Sequence, residues 1–124
     1  MDINQYKAKG VIDKKHLVSL VNYTEDEIYE ILKRAKDICD RLSAGEKQNS
    51  LKNKNVYLIT KSGFSRSRIA FETAVTKLSG AYTVSSLPGA QIDDVLTDSL
   101  SMRAIAYYGI DAIVVRTELS TDAE

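Results

Sequence analysis

The sequence has little of what a disulfide framework or a metal site requires, since its 124 residues include only one cysteine and one histidine. One cysteine cannot form an internal disulfide, so we predict a protein of a reducing compartment, the cytoplasm. A lone His16 identifies no catalytic chemistry and is interpreted as structural. No group of residues indicates a metal ion or any other cofactor.

An excess of charge of one sign and a long apolar run are also missing. Lys and Arg together number 17, as do Asp and Glu, so the formal net charge is zero. This balance argues against a nucleic-acid or membrane-surface binder, since either would carry a basic excess. No apolar segment approaches the roughly 20 residues of a membrane span, and we do not expect the polar start to act as a signal peptide. We therefore expect neither nucleic acid nor membrane as a partner.

What the sequence does contain is a turn rich in Ser and Arg between a strand and a helix. Residues 56–59 are apolar, β-branched or aromatic, and too few for a helix, which predicts a buried strand. Apolar residues then recur at spacings of three and four across 71–78, which predicts a helix. The residues between them, 65–68, would lie at the helix amino terminus, where unpaired N–H groups and the macrodipole attract anions. Their hydroxyl and guanidinium groups add donors, which indicates a phosphate site.

The same residues also have a purely structural interpretation. Ser65 could serve only as an N-cap, and Arg66 and Arg68 could be solvated residues of the first helical turn. Two cations are unfavourable at the positive end of a helix, so they need compensation. Glu72, four residues after Arg68, could supply part of it. Charge placement alone leaves the two interpretations evenly matched.

Around this turn the chain alternates between helices and strands. A helix begins at Thr24, where Glu27 completes a capping box, and its apolar face includes Cys39, interpreted as a small core residue. Gly80 is expected to end the next helix in the left-handed conformation. The remaining elements are a strand over 81–84, a loop over 85–91, a helix from Asp93 or Asp94 to about Tyr108, and a strand over 111–116.

This alternation predicts an α/β fold with parallel strands and right-handed crossovers. We expect residues 16–124 to form a three-layer sandwich, in which a small parallel sheet is flanked by helices. Residues 1–15 are expected to form a loosely held polar arm. Ligands of such sheets bind beyond the carboxyl ends of the strands. The turn at 61–67 and Arg116 both lie at those ends, which favours the anion site over the structural interpretation.

Three short motifs, in this order, resemble those of a known enzyme family. Residues 16–20 read His-Leu-Val-Ser-Leu, residues 64–72 read Phe-Ser-Arg-Ser-Arg-Ile-Ala-Phe-Glu, and residues 111–117 read Asp-Ala-Ile-Val-Val-Arg-Thr. They are similar to the opening segment, the Ser-Thr-Arg-Thr-Arg turn and the Asp-Ala-Ile-Val-x-Arg strand of the aspartate/ornithine carbamoyltransferases. All three belong to that family's carbamoyl-phosphate-binding domain, and the Arg-Thr ending leans toward its ornithine branch.

The resemblance implies a transferase of amino-acid metabolism and assigns its site. The carbamoyl phosphate ligands that it implies are Phe64, Ser65, Arg66, Ser67, Arg116 and Thr117. Arg66 and Arg116 are the implied catalytic residues, with Arg116 reaching the phosphate and the carbonyl oxygen. An amine would attack the carbamoyl carbon and phosphate would leave, with no covalent enzyme intermediate. Family members form trimers, so a homo-oligomer that binds carbamoyl phosphate or a phosphate anion is expected.

The sequence departs from the family pattern in three places. Phe64 occupies the position of the first motif serine, and residues 91–95 carry two acids where the family often has a basic or glutamine residue. The family's His-Pro-x-x-Gln segment and amino-acid-binding domain would lie beyond Glu124, so we expect the isolated chain to be incomplete and inactive. Phe64 and the acidic loop favour an alternative, in which a degenerate, non-catalytic domain serves assembly or regulation.

Overall fold

The computed structural model describes residues 2–10, 12–61, 63 and 65–116. The chain divides into two compact units, Met1–Lys47 and Gln48–Glu124. Its elements are α1 (Glu25–Ser43), β1 (Asn55–Lys61), α2 (Arg66–Lys77), β2 (Ala81–Leu87), α3 (Gly89–Thr97), α4 (Ser99–Tyr107) and β3 (Ala112–Arg116). The predicted α/β class, with a small parallel sheet flanked by helices, is confirmed. The domain boundary between residues 15 and 16 stays a prediction.

In the first unit, α1 begins as its sequence predicts. The Thr24 hydroxyl accepts a hydrogen bond from the Glu27 N–H at 3.2 Å, and the Glu27 carboxylate accepts one from the Thr24 N–H at 2.9 Å. That backbone bond, together with an ion pair to Lys14, holds the pKa of Glu27 below its usual range. Cys39 is exposed, so its assignment to the core was wrong. The apolar face of α1 is at most half-buried, and Cys39 lies at its edge.

The N-terminal segment, expected to be loosely held, is fixed to α1. The backbone N–H groups of Lys9 and Gly10 donate to the carboxylate of Glu30 at 3.0 and 3.2 Å. Glu30 is 2% exposed, and these bonds, that from Lys9 foremost, hold its pKa below the usual range. Tyr6 is buried and stacks on Tyr29, with 5.6 Å between ring centroids. The expectation of a loose arm was therefore wrong for the described part of this segment.

In the second unit, β1 is the central strand of a sheet ordered β2-β1-β3, and both of its neighbours run parallel to it. Val56 and Leu58 lie on one face of β1, because side chains alternate along a strand. They are buried with Val75 of α2, so α2 covers this face. The partly buried residues packed against this cluster are Leu51, Val84 and Val114. The core thus fixes α2 along the strand that leads into it.

The connection from α2 to β2 differs from the expectation for Gly80. The left-handed residue is Ser79, with φ of 67°, and Gly80 follows it. A Cβ at Gly80 would lie 2.9 Å from the Leu51 Cβ and 3.0 Å from the Val75 Cγ1. Glycine is required here for space, so the predicted left-handed cap at Gly80 was wrong.

The predicted single helix over residues 93–108 is two helices, and the first begins at Gly89, inside the predicted loop. Asp98 separates them, with φ of −82° and ψ of 100°. Its carboxylate accepts hydrogen bonds from the Ser101 hydroxyl and, at 3.1 Å, from the Leu100 N–H. These bonds, that from Ser101 foremost, hold the pKa of Asp98 below its usual range. Asp98 is thus the N-cap of α4, a function that helical periodicity alone does not reveal.

Candidate anion-binding site

Ser65 forms the junction between the turn and α2. Its backbone is extended, with φ of −141° and ψ of 118°, and its hydroxyl accepts a hydrogen bond from the Arg68 N–H at 3.2 Å. This confirms the N-cap predicted by the structural interpretation. It does not exclude a ligand, because a hydroxyl that accepts one bond still carries a proton to donate. Ser65 is only 8% exposed, so this hydroxyl is held in place.

The two arginines of the first turn have different surroundings. The Arg68 Nε lies 3.0 Å from a carboxylate oxygen of Glu72, which is the compensation that the sequence predicts. Arg66 is exposed, and its guanidinium makes no hydrogen bond or ion pair with any described residue. The first turn of α2 contains no acid. One cation is therefore neutralised locally, and the other is left at the positive end of the helix.

Backbone donors lie beside this free cation. The N–H groups of Arg66 and Ser67 belong to the first helical turn, where no preceding carbonyl is available within the helix. Neither has an acceptor among the described residues. Together with the helix macrodipole, worth about half a positive charge, they form an environment suited to an anion.

Arg116 is brought to the same edge of the sheet. It is the last residue of β3 and pairs in register with Thr60 of β1. Because the strands are parallel, their carboxyl ends lie at one edge, and Ser65 follows Thr60 by five residues. Arg116 is exposed and, within the described chain, its guanidinium has no partner. The topology therefore places at one edge of the sheet two arginines whose guanidinium groups have no partner among the described residues.

Two of the predicted ligands, Phe64 and Thr117, lie outside the described residues. The ligand-binding functions of all six predicted residues stay predictions. Thr60 was missed by sequence reasoning. It is 3% exposed, and its Oγ1 has no hydrogen-bond partner in the described structure. The only signal was a hydroxyl residue directly after four apolar ones, at a position where a strand ends.

The described part of the chain contains no group of three or more His, Cys, Asp or Glu side chains that could hold a metal ion. Among the helices it contains, none combines the length and the apolar character needed to cross a membrane.

Comparison with known proteins gives a consistent picture. Residues 15–124 match the family described as aspartate/ornithine carbamoyltransferase, carbamoyl-P binding domain. An ornithine carbamoyltransferase of Methanosarcina acetivorans is 36% identical over 67 residues, which cover 54% of this chain and 22% of the relative. One of Archaeoglobus fulgidus is 38% identical over 66 residues, covering 53% and 22%. One of Actinobacillus pleuropneumoniae is 43% identical over 63 residues, covering 51% and 19%.

The matches confirm the resemblance read from the three motifs, including its lean toward the ornithine branch. The matched part of the chain spans about a fifth of the length of these relatives.

Proposed function

Since this chain belongs to the family of carbamoyl-phosphate-binding domains of aspartate/ornithine carbamoyltransferases, we propose that it binds carbamoyl phosphate at the first turn of α2. The observation that carries this proposal is that the Arg66 guanidinium and two neighbouring backbone N–H groups have no partner among the described residues. A structural arginine at the positive end of a helix would be expected to have an acidic partner, as Arg68 has in Glu72.

The phosphate end of the ligand is assigned to the turn. The Ser65 and Ser67 hydroxyls and the Arg66 guanidinium donate to phosphate oxygens, and the first-turn N–H groups add donors aligned with the helix dipole. Hydrogen bonds of this kind to a charged acceptor are stronger than those between neutral groups. The N-cap function of Ser65 supports this assignment, because it orients the hydroxyl independently of any ligand.

Arg116 is assigned to the carbonyl oxygen as well as to the phosphate. In the proposed reaction an amine nitrogen attacks the carbamoyl carbon, and a C–N bond forms as the bond from that carbon to the phosphate oxygen breaks. The electron pair of the broken bond leaves with phosphate, and the amine gives up a proton to the departing phosphate. Negative charge builds on the carbonyl oxygen during the attack, and a guanidinium placed there stabilises it. The remaining catalytic effect is positioning of the two reactants.

Because each match spans about a fifth of a relative, transfer to an amine is proposed for the whole enzyme of which such a domain forms part. The names of the relatives support an ornithine-type enzyme. From the family resemblance we also propose a homo-oligomer that functions in the cytoplasm. The degenerate, non-catalytic alternative rests on Phe64 and the acidic loop and gains no further support.

The test is calorimetric titration of the chain with carbamoyl phosphate and, separately, with inorganic phosphate. Arg66→Ala should weaken both by tenfold or more, because it removes a charge-assisted hydrogen bond worth about 1.5–3 kcal/mol. Arg68→Ala is the matched control, since it removes the same charge two residues further along, from a guanidinium already paired with Glu72. It should change affinity much less than Arg66→Ala.

Equal losses in the two variants would mean that only the net charge of the turn matters, which contradicts a specific site at Arg66. Absence of binding in the unmodified chain would contradict the proposal altogether.

A further inference from the structure

We propose that Thr60 is an additional ligand-binding residue of this site, and that it forms with Ser86 and Arg116 a polar row recognising the acyl end of an acyl phosphate. This inference rests on the proposed phosphate site and extends it from the α2 turn across the sheet. The observation behind it is the Oγ1 of Thr60, which is buried and has no hydrogen-bond partner among the described residues.

The row follows from strand register. Thr60 pairs with Ser86 on β2 and with Arg116 on β3, so the three side chains project from the same face of the sheet. That face carries Val56 and Leu58, which pack against α2. Thr60 is therefore the residue of β1 that lies on the α2 face nearest the start of that helix.

The three residues of the row share a chemistry. Ser86 and Arg116 are exposed, and, like Thr60, neither makes a side-chain hydrogen bond or ion pair within the described chain. Two hydroxyls and a guanidinium offer donors to oxygen acceptors. Adjacent strands are about 4.8 Å apart, so the row spans about 10 Å from Ser86 to Arg116. That span exceeds a single phosphate and suits a phosphorylated ligand with a further carbonyl oxygen.

Packing alone does not account for threonine at this position. Valine has nearly the same shape and the same preference for a strand, and it would avoid burying an unpaired hydroxyl. Buried polar groups in native proteins are almost always hydrogen-bonded, so an exception calls for a specific reason. A hydroxyl reserved for a ligand supplies one. The Oγ1 is buried, with less than 1 Å² of accessible surface, so it would reach a ligand only after rotation about χ1, which exchanges the hydroxyl with the methyl group.

The test combines stability with binding. Thr60→Val should raise the midpoint of thermal unfolding, because it removes the unpaired hydroxyl, and should weaken carbamoyl phosphate binding at least fivefold. Its effect on inorganic phosphate, which the α2 turn holds, should be less than twofold. Thr60→Ser is the matched control that keeps the hydroxyl, and it should retain carbamoyl phosphate affinity within about twofold. If Thr60 only packs, Thr60→Val should raise stability without changing the affinity for carbamoyl phosphate.

A second variant keeps the row testable if Thr60→Val does not fold. Ser86→Ala changes an exposed residue and should weaken carbamoyl phosphate binding several-fold, with acetyl phosphate behaving in the same way. Unchanged affinity for both acyl phosphates in Thr60→Val, or in Ser86→Ala where the former is unfolded, overturns this inference. If Arg66→Ala still weakens phosphate binding in that case, the proposed function stands. If the unmodified chain binds no phosphate compound, both are overturned.

Discussion

Ser65 offers the sharpest separation of fold from function, because one hydroxyl is assigned to both. It accepts the Arg68 N–H as the N-cap of α2, and it is proposed to donate to phosphate. Ser65→Ala removes both interactions. Ser65→Asp keeps the cap, since aspartate is as good an N-cap as serine. It replaces the donor, however, with a negative charge at the place where the anion would lie.

The magnitudes follow from these contacts. Loss of a serine N-cap to alanine costs about 1 kcal/mol of stability, which lowers the unfolding midpoint by about 4 °C in a chain of 124 residues. Ser65→Asp should be at least as stable as the unmodified chain, because a carboxylate at a helix amino terminus adds about 0.3–1 kcal/mol. The free guanidinium of Arg66 supplies a counter-charge. Both variants should lose phosphate affinity, Ser65→Ala by about tenfold through a lost bond to a charged acceptor, and Ser65→Asp completely through repulsion.

The assay is thermal unfolding followed by circular dichroism, paired with calorimetric titration of inorganic phosphate. The expected pattern is a fall in stability for Ser65→Ala, no fall for Ser65→Asp, and weaker binding in both. Phosphate affinity in Ser65→Asp equal to that of the unmodified chain would refute an anion at this turn. An unchanged unfolding midpoint in Ser65→Ala would instead refute the capping function. The capping function and the phosphate-binding function of Ser65 are therefore tested separately.

Two further predictions concern parts of the fold away from the proposed ligand. Gly80→Ala should lower the free energy of unfolding, measured by denaturant titration, by about 1–2 kcal/mol. The added methyl group overpacks against Leu51 and Val75, and this cost exceeds the gain of about 0.4–1 kcal/mol from reducing the entropy of the unfolded chain. An unchanged or higher free energy of unfolding would contradict the close contact. The lowered pKa of Glu30 means that the folded state binds the ionised form of this side chain more favourably than the protonated form. The anchoring of the N-terminal segment should therefore be complete above the ordinary pKa of 4.5 and should be lost as the pH falls through the lower pKa of the folded state. NMR shifts of the Lys9 and Gly10 amide protons should report that transition below pH 4.5, and its persistence in Glu30→Gln would exclude Glu30 as the cause.

Features encoded within a few consecutive residues were predictable. All three of these short-range features are present: the Thr24 capping box, the cap at Ser65 and the Arg68–Glu72 pair. Each depends on residues only three or four positions apart. The parallel sheet was predictable for a related reason, since alternating helical and strand patterns leave few allowed topologies.

Features set by contacts across the fold were not predictable. The space at Gly80 is limited by Leu51, which lies 29 residues earlier, and no local pattern contains that information. Asp98 separates α3 from α4 within a segment whose apolar residues keep a helical spacing throughout. Because aspartate also occurs inside helices, the spacing gave no sign that one helix ends and another begins there. The anchoring of the N-terminal segment depends on Glu30. In the sequence of α1, nothing distinguishes this residue from the other charged side chains of the helix.

At the candidate site, two local rules are broken without local compensation. Arg66 places a positive charge at the positive end of a helix, and Thr60 buries a hydroxyl, and neither group has a partner among the described residues. Each departure is unfavourable for folding, and register and topology place both at the same edge of the sheet. A single anion with an oxygen acceptor beyond its phosphate would satisfy both at once, whereas independent structural explanations would have to coincide. Agreement between sequence and fold is the rule in stable domains, and its exceptions are expected at functional sites. That convergence is the physical argument for reading this edge as a binding site.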